Sequence, residues 1–418
     1  MNNAREVVIL GGGAIGLCTA YYLWKSGLKV TLIEKNEIGS GCSYGNAGLI
    51  VPSHVIPLAA PGVIAKGLKW MFNPAGPLYL KPRFDLELMS WLWKFSRSCA
   101  SARMHRAIPL LHALCQNSAK LFEELQQSKA FSFDLEKRGL LMLYQSEHEW
   151  KAEQEAVELA HKLGMQVGNL NPAQIRELDA NLHTSAFGGI YYPHDCHLDP
   201  AQFVNSLARF LRDHGAQMIT KTEALQLHAA NGKIAKLKTS RGDFSADTFV
   251  LASGAWSPAL LKDLQMRLPM QAGKGYSITI PRPPNAPRVP LLLAEARVAV
   301  TPMGERLRFA GTMELAGNDL AINQRRVQAI LNAVPKYLPN IEAMDLSRAE
   351  VWAGLRPCTP DGLPYIGAFR EYDNLIAATG HAMLGITLAP ITGKLVSDLI
   401  LNQPIALDMK ALHPGRFN

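Results

Sequence analysis

Cysteine is sparse and unpatterned in this chain of 418 residues. The six cysteines, at 18, 42, 99, 115, 196 and 358, form no CxxC and keep no regular spacing. That argues against a zinc site or a disulfide framework and for reduced thiols in a cytoplasmic setting. No metal ligand set is assigned. Long hydrophobic runs are also missing. Val7-Val8-Ile9-Leu10 is too short for a signal peptide and leads straight into glycines. Ile38 to Ala65 contains no Asp, Glu, Lys or Arg, yet eight Gly or Pro residues interrupt it. Leu375 to Gly393 is uncharged but broken by Gly380, Gly385 and Pro390. Neither pattern builds a spanning helix, so no transmembrane segment is expected. Charged residues make up 19% against 48% hydrophobic, a globular balance that excludes wholesale disorder. The 33 Gly and 26 Pro follow no period, which excludes a collagen-like repeat. The length suits two or three domains, or one large α/β enzyme.

What is present begins at once. Val7 to Leu10 is all apolar, as in a strand buried on both faces of a parallel sheet. Gly11-Gly12-Gly13-Ala14-Ile15-Gly16 follows and fits GxGxxG at Gly11, Gly13 and Gly16. Leu17 to Ser26 reads as a helix closed by Gly27, Lys29 to Ile33 as a second strand, and Glu34-Lys35 stands at its end. Gly11 permits the tight turn, Gly13 lets backbone approach a pyrophosphate, and Gly16 lets helix and strand pack closely. The helix N-terminus faces the anion. Glu34 lies where an acid accepts hydrogen bonds from ribose hydroxyls. Strand, glycines, helix, strand and acid in that order predict dinucleotide binding.

The next stretch favours FAD over NAD. Gly39 to Gly48 is a second Gly/Ser-rich loop, with Cys42, Ser43, Asn46, Ala47 and Gly48 leading into Leu49. Small hydroxyl and amide residues there can hug the pyrophosphate and the flavin side of a long buried cofactor. Further on, Thr248 to Ser257 is a strand running into small residues, including Ala252, Gly254 and Trp256. Asp199-Pro200 reads as the cap and first position of an amphipathic helix, which makes Asp199 structural. Gly232-Lys233 looks like a hairpin turn.

With these motifs in hand, the sequence resembles the glycine oxidase and D-amino-acid dehydrogenase branch of the DAO family of FAD-dependent amine oxidoreductases. The likeness spans nearly the whole chain. It rests on the N-terminal fingerprint, on Cys42 to Pro52, on Gly273 to Ser277, on Val351 to Gly367 and on Thr379 to Gly393. The resemblance implies an α/β fold: a Rossmann-like FAD-binding domain with a parallel sheet, and a discontinuous substrate domain with a mixed or antiparallel sheet. It puts 1–90, 193–270 and 350–418 in the first and 91–192 and 271–349 in the second. It implies that the Thr248 strand returns beside the adenosine half and that the backbone of Ala224 contacts adenine. Sarcosine oxidase relatives tether flavin through a cysteine seven residues before the Asp of their TPD; here that position is Gly354, so the FAD is expected to be non-covalent.

Oxidising an amine beside a carboxylate needs a carboxylate clamp and a positive locus near the flavin. Arg356, hemmed by Gly354 and Pro357, is the candidate clamp, since a planar guanidinium meets a carboxylate through paired hydrogen bonds. The alternative is an ion pair with Asp361. The matching arginine of glycine oxidase binds substrate carboxylate, which favours the clamp. Tyr276 either closes over substrate or packs in the domain interface. His381 either adds to the flavin and substrate contacts or caps the last helix, read as Ile386 to Leu401. The N-terminus of that helix, behind Gly380, Met383, Leu384, Gly385, Ile386 and Thr387, would supply the positive locus. His54 is a further candidate just after the flavin loop. The glycine oxidase tyrosine near Val298 and its second arginine near Met383 are both absent, which favours a more apolar pocket.

The expected function is FAD-dependent oxidative deamination of a D-amino acid or a cyclic imino acid such as D-hydroxyproline, with hydride passing from Cα–H to flavin and an imine as product. The alternatives are a glycine- or sarcosine-type amine oxidase, or the flavin subunit of a heteromeric membrane-associated dehydrogenase. The partners expected are a small amino-acid substrate and an electron acceptor, whether oxygen, a quinone or a carrier protein. No nucleic acid partner is expected, because no RNA-binding module is visible. Homo- and hetero-oligomeric states both stay open. The net charge of +8 concentrates in 66–106, where eight cations face two acids among Trp70, Phe72, Tyr79, Trp91, Trp93 and Phe95. Aromatics among cations suit either a solvated helical arm or an anionic membrane interface at the inner face of the membrane.

Overall fold

The computed structural model describes residues 5–71, 76–341 and 346–417. The first strand, β1 (Glu6–Leu10), lies at the centre of a six-stranded sheet between Thr248–Leu251 and β2 (Lys29–Ile33). All its pairings are parallel except that of the edge strand Tyr365–Ala368 with Leu375–Thr379. The helix α1 (Ala14–Lys25) connects β1 to β2, with Gly13 as its N-cap and Gly27 in the left-handed region after its end. A Cβ on Gly16 would sit 1.9 Å from the Gly11 carbonyl oxygen. Only glycine there lets helix and turn touch. Asp199 caps the helix Pro200–Asp213 by accepting from Ala201 and Gln202 N–H, as its spacing predicts, and also pairs with Arg306. Asn231-Gly232, both at positive φ, form the hairpin turn between Ala224–Ala230 and Lys233–Thr239.

The second body is a nine-stranded mixed sheet, whose longest member is Gln271–Pro281. Alternation along its strands separates two faces. Tyr276, Ile278, Val298, Val300, Leu307 and Phe309 point to one side, where they share a core with the helix Gln324–Tyr337. The other side carries the register row Trp352, Ser277, Ala310, Ala299, Leu292 and Met142. That row is small in its middle, and it faces the cavity described below.

Three expectations need correction. Leu78–Leu80 and Glu350–Cys358 are strands of the large sheet, although the sequence boundaries group them with the nucleotide domain. The helix Ser101–Gln127 falls within 91–192 but buries Leu111, Leu114 and Phe122 in the core shared by α1 and the last helix. Its apolar stripe matched a neighbour that spacing could not name. The last helix runs Ala389–Ile400 rather than from Ile386, because Pro390 favours the first turn and 382–388 close as separate turns.

Candidate active site

A cavity of about 1150 Å³ runs from the mouth of the parallel sheet across the large sheet. It exceeds the ~300–1,000 Å³ of ordinary small-molecule sites. Gly11, Gly13, Ala14 and Ile15 form its wall at the start of α1. Gly13 provides no side-chain cap. The Ser43 hydroxyl accepts from the Ala14 N–H at 2.9 Å, leaving later first-turn amides for an anion. Glu34 accepts from the Gly12 N–H at 2.7 Å and the Asn36 N–H at 2.9 Å. A carboxylate has about four lone-pair sites, so both oxygens retain capacity for ribose hydroxyls. Lys35 pairs with Glu223 next to Ala224, and all three line this end.

Further along, Cys42, Ser43, Asn46, Ala47 and Leu49 line the cavity from one side, and Ala252, Gly254 and Trp256 from another. Met383, Leu384, Gly385 and Ile386 also face it, together with His381 and Gly354. Four predicted contacts stand behind the wall instead. Gly16 packs on Gly11, Gly48 on the Leu198 carbonyl, and Gly380 on Thr359 and Tyr365. Thr387 donates to the Leu49 carbonyl. They shape the loops that the cavity needs. Residues 383–386, not the N-terminus of the last helix, form the face presented there.

Arg356 lines the cavity from the strand Glu350–Cys358. Its guanidinium lies over Gly275, where any Cβ would come within 2.2–2.4 Å of it. Its Nη1 donates to the Thr312 carbonyl at 2.7 Å. Among the described residues no carboxylate pairs with it. Asp361, the alternative partner, forms two hydrogen bonds to Arg416 at 2.7 and 2.8 Å. Desolvation lowers the Arg356 basicity, and the thiols of Cys358 and Cys42 are the titratable groups beside it. Burial pushes those thiols up to about 11 and about 12, so both are neutral around pH 7. Arg356 therefore has donors to spare and, among the described residues, no anionic partner.

Thr312 was not legible in advance. It sits where the pairing of two strands shifts register, at φ +61, a conformation that costs a β-branched residue about 1–3 kcal/mol. The bulge turns its carbonyl to Arg356. Arg308 was also missed. It is buried and donates to the Tyr44 and Asn46 carbonyls at 2.8 Å, tying the flavin-side loop to the large sheet. The i, i+2 pair Arg306 and Arg308 in a strand was the available signal.

Tyr276 lies on the opposite face of its strand from Arg356 and donates to Glu314 at 2.8 Å. It also lines the cavity, alongside Gly275. His381 bonds Thr392 through Nε2 at 2.9 Å, and burial pushes it down to about 3, so it stays neutral. Val298 turns into the opposite core. Met383 is half-exposed at the cavity edge.

A family model described as DAO: FAD dependent oxidoreductase matches residues 6–399. The chain belongs to the DAO family of FAD-dependent oxidoreductases. A D-amino acid dehydrogenase of Vibrio atlanticus (strain LGP32) is 33% identical over 94% of this chain and 95% of its own. One of Rhizorhabdus wittichii is 34% identical over 99% and 100%. Among solved structures, glycine oxidase from Geobacillus kaustophilus superposes with a TM-score of 0.80 at 24% identity, covering 99% of this chain and 100% of its own. L-proline dehydrogenase from P. horikoshii gives 0.75 at 21%, covering 100% and 98%. These two establish the fold.

FAD is the family's cofactor, and the cavity fits it. The side-chain-free cap at Gly13 suits the pyrophosphate, Glu34 the ribose, and the long extension past Asn46 the flavin. Glu34→Gln keeps the shape but removes the charge. Hydrogen bonds to a charged group contribute about 1.5–3 kcal/mol, so FAD affinity is expected to fall roughly 10-fold or more. Quenching of FAD fluorescence during titration into the apoprotein measures it; unchanged affinity would rule out the ribose role.

Proposed function

We propose that this chain oxidises an α-amino acid at Cα, holding its carboxylate on Arg356. The observation that carries the reading is the half-buried guanidinium, which among the described residues has no carboxylate partner and lines a cavity whose other end suits a dinucleotide. Bound FAD supplies the hydride-accepting chemistry. The protein orients the substrate: Arg356 fixes the carboxylate, and Gly275 beneath it leaves room for close approach. The floor of Ala310, Ala299, Leu292 and Met142 gives space for an apolar or cyclic side chain rather than a lone hydrogen. The D configuration is supported by the full-length relatives described as D-amino acid dehydrogenases.

Anaerobic bleaching of the bound flavin across a panel of D- and L-amino acids, including D-proline and D-hydroxyproline, tests this. Bleaching by D-substrates is expected. Bleaching by none of the panel contradicts the reading. Arg356→Gln is expected to raise the substrate dissociation constant roughly 10- to 150-fold, the equivalent of one lost charged hydrogen bond.

We infer further that electrons leave through a membrane-facing side. Among the described residues no helix is long and apolar enough to cross a membrane. Phe72 lies outside the described residues, as do the side chains of Lys66, Lys69 and Trp70. What is described supports the reading. Leu68, Phe84, Leu86, Met89 and Trp93 are exposed, and the Arg97 guanidinium lies 4.9 Å over the Trp93 ring. Beneath them Leu80, Trp91, Leu92 and Phe95 line an apolar arm of the cavity, which suits a quinone-like acceptor. Flotation with anionic liposomes is expected to carry the protein at low salt and release it at high salt. Absence of flotation at low salt overturns the inference.

A further inference from the structure

The amine of an amino acid carries a proton at neutral pH, and hydride transfer from Cα needs the nitrogen lone pair free. The structure contains a hydrogen-bonded chain suited to removing that proton. Asp195, 1% exposed, follows the strand Gly188–Tyr192. Its Oδ1 accepts from the Ser53 N–H at 3.1 Å, and its Oδ2 from the Ser53 hydroxyl at 2.5 Å. The Ser53 oxygen lies 3.0 Å from Nδ1 of His54. Ser53 and His54 both line the cavity that Arg356 lines.

The directions of these bonds follow from the donors available. An ionised Asp195 only accepts, so the Ser53 hydroxyl donates to it. The Ser53 oxygen then accepts from His54, which places the imidazole proton on Nδ1. His54 Nε2 is left with its lone pair and, among the described residues, no hydrogen-bond partner. A clamp for the carboxylate and a bare nitrogen for the amine thus share one cavity.

We propose that Asp195, Ser53 and His54 form a proton relay that deprotonates the substrate ammonium. The N–H bond of the ammonium breaks, its electron pair stays on nitrogen, and the proton goes to His54 Nε2. In concert the Nδ1 proton passes to the Ser53 oxygen and the Ser53 proton to Asp195 Oδ2. The products are a neutral amine, a neutral imidazole of the other tautomer and a neutral carboxyl. His54 is the catalytic residue; Ser53 and Asp195 act through it.

The surroundings suit this ending. Burial holds His54 down at about 4, with Arg297 across the cavity adding to the effect, so a lasting imidazolium is disfavoured. Burial raises Asp195 to about 7, against the lowering from its two Ser53 bonds. The other titratable groups around the chain are Tyr191, Tyr192, Cys115 and Cys196, with Glu153 near Tyr192. The tyrosines and cysteines are all pushed upward and stay neutral. Of the two titratable members of the relay, His54 and Asp195, Asp195 is the one placed near neutrality. The relay works while Asp195 is ionised and fails as the pH drops through about 7.

Asp195→Asn makes a sharp test. The Ser53 N–H needs an acceptor, which fixes the amide oxygen on its side and turns the NH₂ to the Ser53 oxygen. Ser53 must then donate to Nδ1, and the His54 proton moves to Nε2. The inference rests on the amino-acid reading, so two independent measurements are needed. The first is ¹⁵N NMR of the histidine rings in the substrate-free holoenzyme. It is expected to show His54 protonated on Nδ1 in the unmodified protein and on Nε2 in Asp195→Asn. The second is anaerobic flavin reduction at saturating levels of the D-amino acid that bleaches fastest. The rate is expected to rise with pH through an inflection near 7 and to level above it. Asp195→Asn should lose about 10²- to 10⁴-fold and the inflection. Acetate, a carboxylate without an amine, should bind both proteins equally. Should Asp195→Asn fail to fold, Ser53→Ala interrupts the same chain, since His54 Nδ1 and Asp195 are 4.0 Å apart, and it should lose the rate likewise. A proton on Nε2 in the unmodified protein overturns the relay, as does a variant with the unmodified rate and inflection. If no amino acid bleaches the flavin, the substrate reading falls, and the tautomer measurement still decides the hydrogen-bonded chain.

Discussion

A half-buried guanidinium in a cavity wall without a counter-ion is costly, because part of its water is lost and nothing of opposite charge replaces it. Arg356 is kept that way by everything around it. Gly275 beneath it has no side chain, Cys42 and Cys358 are neutral thiols, and the nearest oxygen is the amide carbonyl of Thr312. Asp361, the acid five positions on in the sequence, is occupied by Arg416. An incoming carboxylate then meets an electrostatic demand that no protein group has already met. The strained backbone at Thr312 belongs to the same arrangement, since the strand shifts register there to aim that carbonyl.

That locus depends on two sheets meeting. The strand bearing Arg356 belongs to the large sheet, yet the Cys42 thiol from the nucleotide side donates to its Leu355 carbonyl at 2.6 Å. Arg308 reaches the other way, from the large sheet to the carbonyls of the flavin-side loop. The Trp91 indole N–H donates to the Cys358 carbonyl and ties the aromatic helix Leu86–Ser98 to the same strand. Cofactor loop, Arg356 and surface-facing aromatic helix are thus coupled within a few bonds, which is how the residues proposed to bind substrate and those proposed to meet an acceptor come to line one cavity.

The nucleotide end was legible in the sequence because its physics is local. A buried strand, a turn that only glycine can make and an acid at the next strand end all lie within 30 residues. The Asp199 cap was legible for the same reason, and so was the hairpin, read at Gly232-Lys233 and found one residue earlier at Asn231-Gly232. The boundaries between the two bodies were not. Leu78–Leu80 and Glu350–Cys358 join a sheet whose other strands lie far away in the chain, and a short apolar run carries no label for its partner. Tyr276 shows the limit most clearly. The motif identified the right strand, but one step of alternation places the phenol on the face away from Arg356. Thr312, Arg308 and the Ser53–Asp195 pair had no sequence signal at the strength of a motif, because contacts between residues separated by 142 or 264 positions are set by the fold alone.

The central claim is that the vacant charge on Arg356 is what recognises the substrate. The most direct measurement compares anaerobic flavin reduction by an α-amino acid and by its carboxamide, in the unmodified holoenzyme and in Arg356→Gln. The account predicts that the unmodified enzyme prefers the acid by about 10-fold or more in apparent affinity, at 1.4 kcal/mol per factor of ten, and that Arg356→Gln abolishes the preference by losing the acid alone. Equal affinity for acid and amide in the unmodified enzyme, or a preference that survives in Arg356→Gln, would contradict it.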